Sequence, residues 1–256
     1  MSFQYFAYGS NIGVAGLAAK GVKAEATVSG RLRGWQLRFD VPSAFPRLEG
    51  GVANIVESGE DVVLGSVHQV ADEAAPILDA IEARGVLYER QLLEVELESG
   101  ECVSAEVYVG LAHVREEGLR PSPRYLRILV EGGVSRGLDP GYVDRLRAMD
   151  THRADVGVPF RLVDDGLPSL DRAMLARRPD WVALHGVVFD LEWPRPEHMF
   201  VRHLFGGRDA TPGAVAMITG DPDLRDPMDQ EIDAYLQALQ WELAEEYQVV
   251  ACYATK

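Results

Sequence analysis

Residues 5–11 read YFAYGSN, four bulky and mostly apolar residues followed by three turn formers. Tyr5, Phe6, Ala7 and Tyr8 suit a short strand, and Gly9, Ser10 and Asn11 stop it. Such a turn has two uses. It can simply reverse the chain, or its successive N–H groups can form a concavity for an anion or an oxyanion.

Working outward, the first 110 residues are strand-rich. Segments 31–41 (RLRGWQLRFDV), 50–58 (GGVANIVES), 61–70 (DVVLGSVHQV) and 91–99 (QLLEVELES) combine β-branched or aromatic residues with partial alternation. Gly-containing turn signals separate them. Segment 101–110 follows Glu98-Ser99-Gly100 closely enough to form a hairpin with 91–99. Residues 72–85 (DEAAPILDAIEARG) read as a helix, with Asp72 as cap, Pro76 in the first turn and Gly85 at the end. Two further amphipathic helices are expected over 122–133 and 139–150. The pattern breaks after them, which sets an expected boundary between a first domain, 1–150, and a second, 151–256. In the second, 180–191 reads as two short strands around His185-Gly186. A polar stretch rich in Pro and Gly follows, and 230–247 reads as a helix on the spacing of Ile232, Leu236, Leu239 and Leu243.

Composition narrows the class. The chain has 256 residues, 47% hydrophobic and 25% charged, the balance of a globular protein. A net charge of −15 argues against nucleic acid or an anionic membrane surface as partner. The two cysteines, Cys102 and Cys252, lie far apart, so neither a disulfide framework nor a zinc site is expected. Met1-Ser2-Phe3-Gln4 lacks the character of a signal peptide, and no apolar run approaches the roughly 18 residues of a membrane helix. The expected location is cytoplasmic.

Glu82 is the carboxylate most worth weighing. Four residues beyond Leu78, it falls on or beside the apolar stripe of the 72–85 helix. Desolvation there would raise its pKa, as a general base near neutral pH requires. The competing reading makes Glu82 a flank residue paired with Arg84 or Arg90, and spacing alone favours it. The six histidines show no His-x-x-x-His spacing, and Gly9-Ser10 lacks the second glycine of a nucleophile elbow. No metal or cofactor is expected.

The ordered set of motifs resembles the gamma-glutamylcyclotransferase family over about residues 3–150. YFAYGSN is similar to its opening signature, 50–70 to its central hairpin, 77–90 (ILDAIEARGVLYER) to its catalytic-glutamate segment, and 120–150 to its closing Pro-Ser-x-x-Tyr and Gly-Leu-Pro-x-x-Tyr segments. The resemblance implies an α+β protein with a small closed, mixed β-barrel and flanking helices. It implies Glu82 as general base and Tyr8, Gly9, Ser10, Asn11 and Ile12 as the substrate loop. Tyr125 would line the pocket, with Tyr88 and Tyr108 as weaker matches. The implied reaction is cyclisation of a γ-glutamyl compound to 5-oxoproline with release of an amino acid or amine. It needs neither metal, cofactor nor protein nucleophile. This chain departs from the family in having Ala83 where a glycine usually follows the glutamate, and in being one residue short before Tyr88. The expected partner is a small γ-glutamyl molecule; a homodimer is allowed for, and nucleic acid and membrane are not expected.

The second domain, expected to be a smaller α+β unit, is similar in three short islands to the cytochrome b5-like membrane-associated progesterone receptor family. The islands are 180–191, 205–211 (FGGRDAT) and 239–253. The haem-ligating tyrosines of that family are missing; His198 and His203 are the candidate axial ligands in their place, but they read rather as polar surface residues. The alternative to an enzyme is a ligand-binding or haem-binding regulatory protein.

Overall fold

A computed structural model of the chain describes residues 1–154, 160–161, 166–221, 223 and 230–254. It divides into two compact units, Met1–Ala154 with Gly220–Pro222, and Asp155–Thr219 with Asp223–Lys256.

The first unit is a closed five-stranded barrel with helices around it. Its elements run β1 (Ser2–Ala7), α1 (Val14–Ala19), β2 (Ala24–Pro42), α2 (Pro46–Glu49), β3 (Gly51–Ala71), α3 (Ala75–Ile81), β4 (Tyr88–Leu97), β5 (Cys102–Gly110), α4 (Pro123–Ser135) and α5 (Pro140–Arg147). The strand order is β1-β3-β2-β4-β5. All pairs are antiparallel except the closing one, where β1 runs parallel to β5 with Tyr5 opposite Glu106.

Both faces of β1 are buried, which explains an apolar run without alternation. Phe6 and Tyr8 join a core with Leu32, Ile55, Val67, Val95 and Val107, covered by Leu126, Leu129 and Leu146 of α4 and α5. Tyr5 and Ala7 point the other way, into a second cluster with Leu17, Val70, Leu78, Tyr88 and Tyr108. Ser122 and Asp139 cap α4 and α5 by accepting from Tyr125 N and Tyr142 N.

Three local readings of the sequence are corrected. Segments 50–58 and 61–70 are one continuous strand, β3. The Glu57–Asp61 stretch is a bulge: β2 residues Arg33 and Trp35 face Val62 and Glu57, so extra β3 residues loop out. Gly34 and Gly59 both adopt left-handed φ there, which lets the two strands kink together. The 72–85 helix begins as a 3-10 turn that Asp72 does not cap, and its α-helical part ends at Ile81. Ala83 (φ 45°) and Gly85 (φ 79°) break it. The sequence reading also passed over α1 and α2, the first too short and glycine-containing to show a periodic face.

The second unit holds β6 (Ser169–Leu170), α6 (Arg172–Leu175), β7 (Trp181–Leu184), β8 (Val187–Asp190), α7 (Met199–Phe205), β9 (Arg208–Asp209), α8 (Thr211–Thr219), α9 (Gln230–Glu246) and β10 (Val249–Tyr253). The sheet order is β6-β10-β8-β7-β9. His185 and Gly186, both left-handed, make the two-residue turn between β7 and β8. Gln240 Nε2 of α9 donates to the carbonyls of Leu184 (2.9 Å) and His185 (3.0 Å) and so anchors that turn. His198 is not a surface residue. It is fully buried, with Nδ1 2.9 Å from Tyr247 Oη and Nε2 3.0 Å from Arg195 Nη2, so both ring nitrogens are engaged. His203 is exposed. Among the described residues no helix is long and apolar enough to cross a membrane.

Candidate active site

The turn that ends β1 is pinned from three sides. Ile12 N donates to Gly9 O (3.0 Å), which closes the turn on itself. His68 of β3, fully buried, places Nε2 2.8 Å from Asn11 O. Because that carbonyl can only accept, Nε2 carries the hydrogen, and Nδ1 accepts from Thr27 Oγ1 at 2.9 Å. Burial depresses the His68 pKa to about 4, helped by the nearby Arg136 cation and opposed by the bond to Asn11. The ring is therefore neutral at ordinary pH. Gly16 of α1 packs against the turn from outside: a Cβ there would stand 2.4 Å from Ser10 O.

The Asn11 side chain is buried, and its amide is the centre of the site. Its Nδ2 donates to Tyr5 Oη (3.0 Å) and Glu82 Oε1 (3.1 Å), and its Oδ1 accepts from Lys20 Nζ (2.5 Å). Lys20 Nζ also donates to Ser10 Oγ at 2.7 Å. Lys20 sits immediately after α1.

Glu82 occupies the C-cap of α3 and is half-buried. Its pKa is raised, first by burial, against the opposing pull of the Lys20 cation and the Asn11 hydrogen bond. The negative end of the helix acts in the same raising direction. Arg84 and Arg90, its expected partners under the flank reading, are engaged elsewhere. Arg84 bonds Glu89 (2.7 Å) and Asp79 (3.4 Å), and Arg90 lies near Asp79 and Glu106.

Five buried phenols surround this carboxylate. Tyr8 Oη donates to Tyr108 O (2.5 Å), Tyr108 Oη to Asp79 Oδ1 (2.7 Å), and Tyr88 Oη to Ala53 O (2.7 Å). Tyr125 Oη accepts from Ala53 N at 3.2 Å and from the Ser10 amide. Burial, with the Glu82 charge adding to it, raises the pKa of Tyr5, Tyr8, Tyr88 and Tyr108, and of Tyr125 to about 12. All five phenols stay neutral. Tyr8, Tyr88 and Tyr108 give their hydroxyl hydrogens to protein acceptors, whereas Tyr5 and Tyr125 accept in these bonds and so can donate to a polar ligand.

The structure thus brings Tyr8, Gly9, Ser10, Asn11, Tyr88 and Tyr125 together with Glu82. Ile12 lies in the barrel core beneath the turn. Sequence reasoning missed Tyr5, Lys20 and His68. Tyr5 and His68 are read there only as strand residues. A lysine nine residues past Asn11 carries no signal without the helix that folds it back.

Residues 5–127 match the model of a family described as gamma-glutamyl cyclotransferase, AIG2-like. The gamma-glutamylcyclotransferases of Mus musculus and Homo sapiens are 27% and 28% identical to this chain over 152 residues, 58% of it and 79% of each relative. A solved structure titled gamma-glutamyl cyclotransferase superposes with a TM-score of 0.54 at 25% identity, covering 62% of this chain and 94% of that one. Barrel, motif order and relatives converge: over residues 5–127 the chain is similar to the gamma-glutamyl cyclotransferase, AIG2-like family.

Proposed function

We propose that the first unit is a gamma-glutamylcyclotransferase that releases 5-oxoproline from a γ-glutamyl amino acid or amine, with Glu82 as the acid–base group. The observation that carries this reading is the hydrogen bond from Asn11 Nδ2 to Glu82 Oε1. It ties a carboxylate whose pKa burial raises to the glycine-containing turn.

The chemistry needs little more. The substrate's α-amine nitrogen bonds to its own γ-carbonyl carbon, and the carbon–nitrogen bond to the leaving group breaks. The attacking nitrogen loses two protons in going from ammonium to lactam N–H, and the departing nitrogen gains two as it leaves as an ammonium. Because the nucleophile is tethered, holding the folded substrate supplies proximity. Glu82 takes these protons from the attacking nitrogen one at a time, first as it is freed from the ammonium and again as the ring closes, and passes them to the leaving nitrogen. A raised pKa brings the carboxylate closer to the amine it must deprotonate. The turn at Gly9–Ile12 and the phenol of Tyr125 are assigned to the γ-glutamyl half.

The test is lactam release from a panel of γ-glutamyl amino acids and amines by wild type and Glu82→Gln. Loss of a hundred- to ten-thousandfold in the variant, with the fold retained, is expected. A Glu82→Gln rate near that of wild type would refute the assignment.

A further inference from the structure

We propose that Lys20 is a positioning residue for Glu82, acting through the side-chain amide of Asn11 rather than on substrate. The inference rests on the reading of Glu82 as the acid–base group and adds a residue that neither the turn motif nor the glutamate segment contains.

The argument begins with an ambiguity that every asparagine carries. Its amide has a donating end and an accepting end of nearly the same shape, and only the neighbours decide which faces where. Lys20 Nζ is a donor without accepting capacity, so the Asn11 end 2.5 Å from it must be Oδ1. That forces Nδ2 towards Glu82 Oε1 at 3.1 Å and Tyr5 Oη at 3.0 Å. A donor aimed at a carboxylate favours its anion and fixes its rotamer. Were the amide reversed, Oδ1 would face Glu82, and only a protonated carboxyl could bond to it.

Lys20 also supplies charge. Its cation lowers the Glu82 pKa, and the Glu82 anion in turn supports a lysine that burial has brought down to about 8. The bond from Lys20 Nζ to Ser10 Oγ holds the cation against the turn. Around Glu82 stand the phenols of Tyr5, Tyr8, Tyr88, Tyr108 and Tyr125, with Asp79 behind Tyr108 and the Asp40 charge felt by Tyr8 and Tyr88. Arg124 is the other cation that Lys20 senses. The phenols stay neutral through the acid range, so Lys20 is the charge best placed to set how Glu82 titrates.

Three substitutions separate orientation from charge. Lys20→Met removes both. Lys20→Gln keeps a donor for Asn11 Oδ1 and removes the charge. Lys20→Arg keeps both. The first readout is the titration of the Glu82 carboxyl by 13C NMR, assigned by its loss in Glu82→Gln. The expected result is an upward shift, largest in Met, smaller in Gln and least in Arg. The second readout is the pH profile of lactam release. Its acid limb should move up in the same order, with a loss of about ten- to hundredfold for Lys20→Met below neutral pH. A Glu82 titration unchanged in both Lys20→Met and Lys20→Gln overturns the proposal, whatever the activity. Should wild type release no lactam from any substrate while the NMR shift appears, the positioning role stands and the proposed reaction falls. If Lys20→Met does not fold, Lys20→Gln alone decides the charge effect by the same two readouts.

Discussion

Acidification from pH 7 to pH 4 is expected to cost the first unit about 3 kcal/mol through a single side chain, His68. In the unfolded chain a histidine titrates near its ordinary value of about 6.5. In the fold, burial and the Arg136 cation hold it to about 4. Between these two values the unfolded state binds a proton that the folded state refuses, so stability falls as pH falls. Each pH unit of the gap is worth about 1.4 kcal/mol, and the loss stops growing once the folded form also protonates. The assay is urea unfolding at pH 7, 6, 5 and 4, with Trp35 as reporter after Trp181, Trp193 and Trp241 are changed to Phe. The comparison protein carries His68→Gln, whose amide can still donate to Asn11 O but does not titrate. Wild type should lose about 3 kcal/mol more than the variant across the series. Parallel curves would refute both the depressed pKa and the neutral Nε2–H form that pins the turn. Direct titration of the His68 ring by NMR gives the same answer if the variant is too unstable to study.

Two further outcomes follow from the walls of the site. Gly16→Ala sets a Cβ 2.4 Å from the Ser10 carbonyl, so the turn must shift. A loss of at least about tenfold in kcat/KM is expected, with a melting temperature below wild type, and an unchanged kcat/KM would mean the turn does not hold substrate. Tyr125→Phe removes the acceptor of Ala53 N and of the Ser10 amide and should cost about 1–3 kcal/mol in chemical denaturation. Its KM should rise more than its kcat falls, and the reverse would give Tyr125 a part in the chemistry.

Local signals made some elements legible and hid others. The hairpin of β4 and β5 was readable because alternation on both sides converges on Glu98-Ser99-Gly100, and Gly100 does take a left-handed φ of 84°. The hairpin of β7 and β8 was readable for the same reason at His185-Gly186. Glycine misled at Gly59, where its left-handed conformation serves a bulge inside one strand instead of a reversal. The end of α3 was misplaced because Ala83, not only Gly85, goes left-handed, a choice that alanine does not advertise. In the second unit α7 and α8 lay hidden in a stretch whose prolines and glycines read as loop. Within the site, the meeting of Asn11 and Glu82 across 71 positions was reachable only through resemblance. Periodicity describes faces of single elements and says nothing about which faces meet.

The parallel seam between β1 and β5 has a consequence for the newly made chain. β1 lies between β3 and β5 in the closed barrel, and its register with β5 joins Tyr5 to Glu106, about a hundred residues later. Closing so long a loop is entropically costly, and contacts of this separation are slow to form. While the polypeptide is still being synthesised, the strand that carries the turn must wait for β5 to emerge before its second edge is covered. A stalled or truncated product ending before β5 would expose that edge of β1, next to an apolar run from Tyr5 to Tyr8, as a template for pairing with other chains. The strand that leads the barrel in sequence is thus among the last to be secured, and how long its edge stays open depends on how quickly residue 106 follows residue 5.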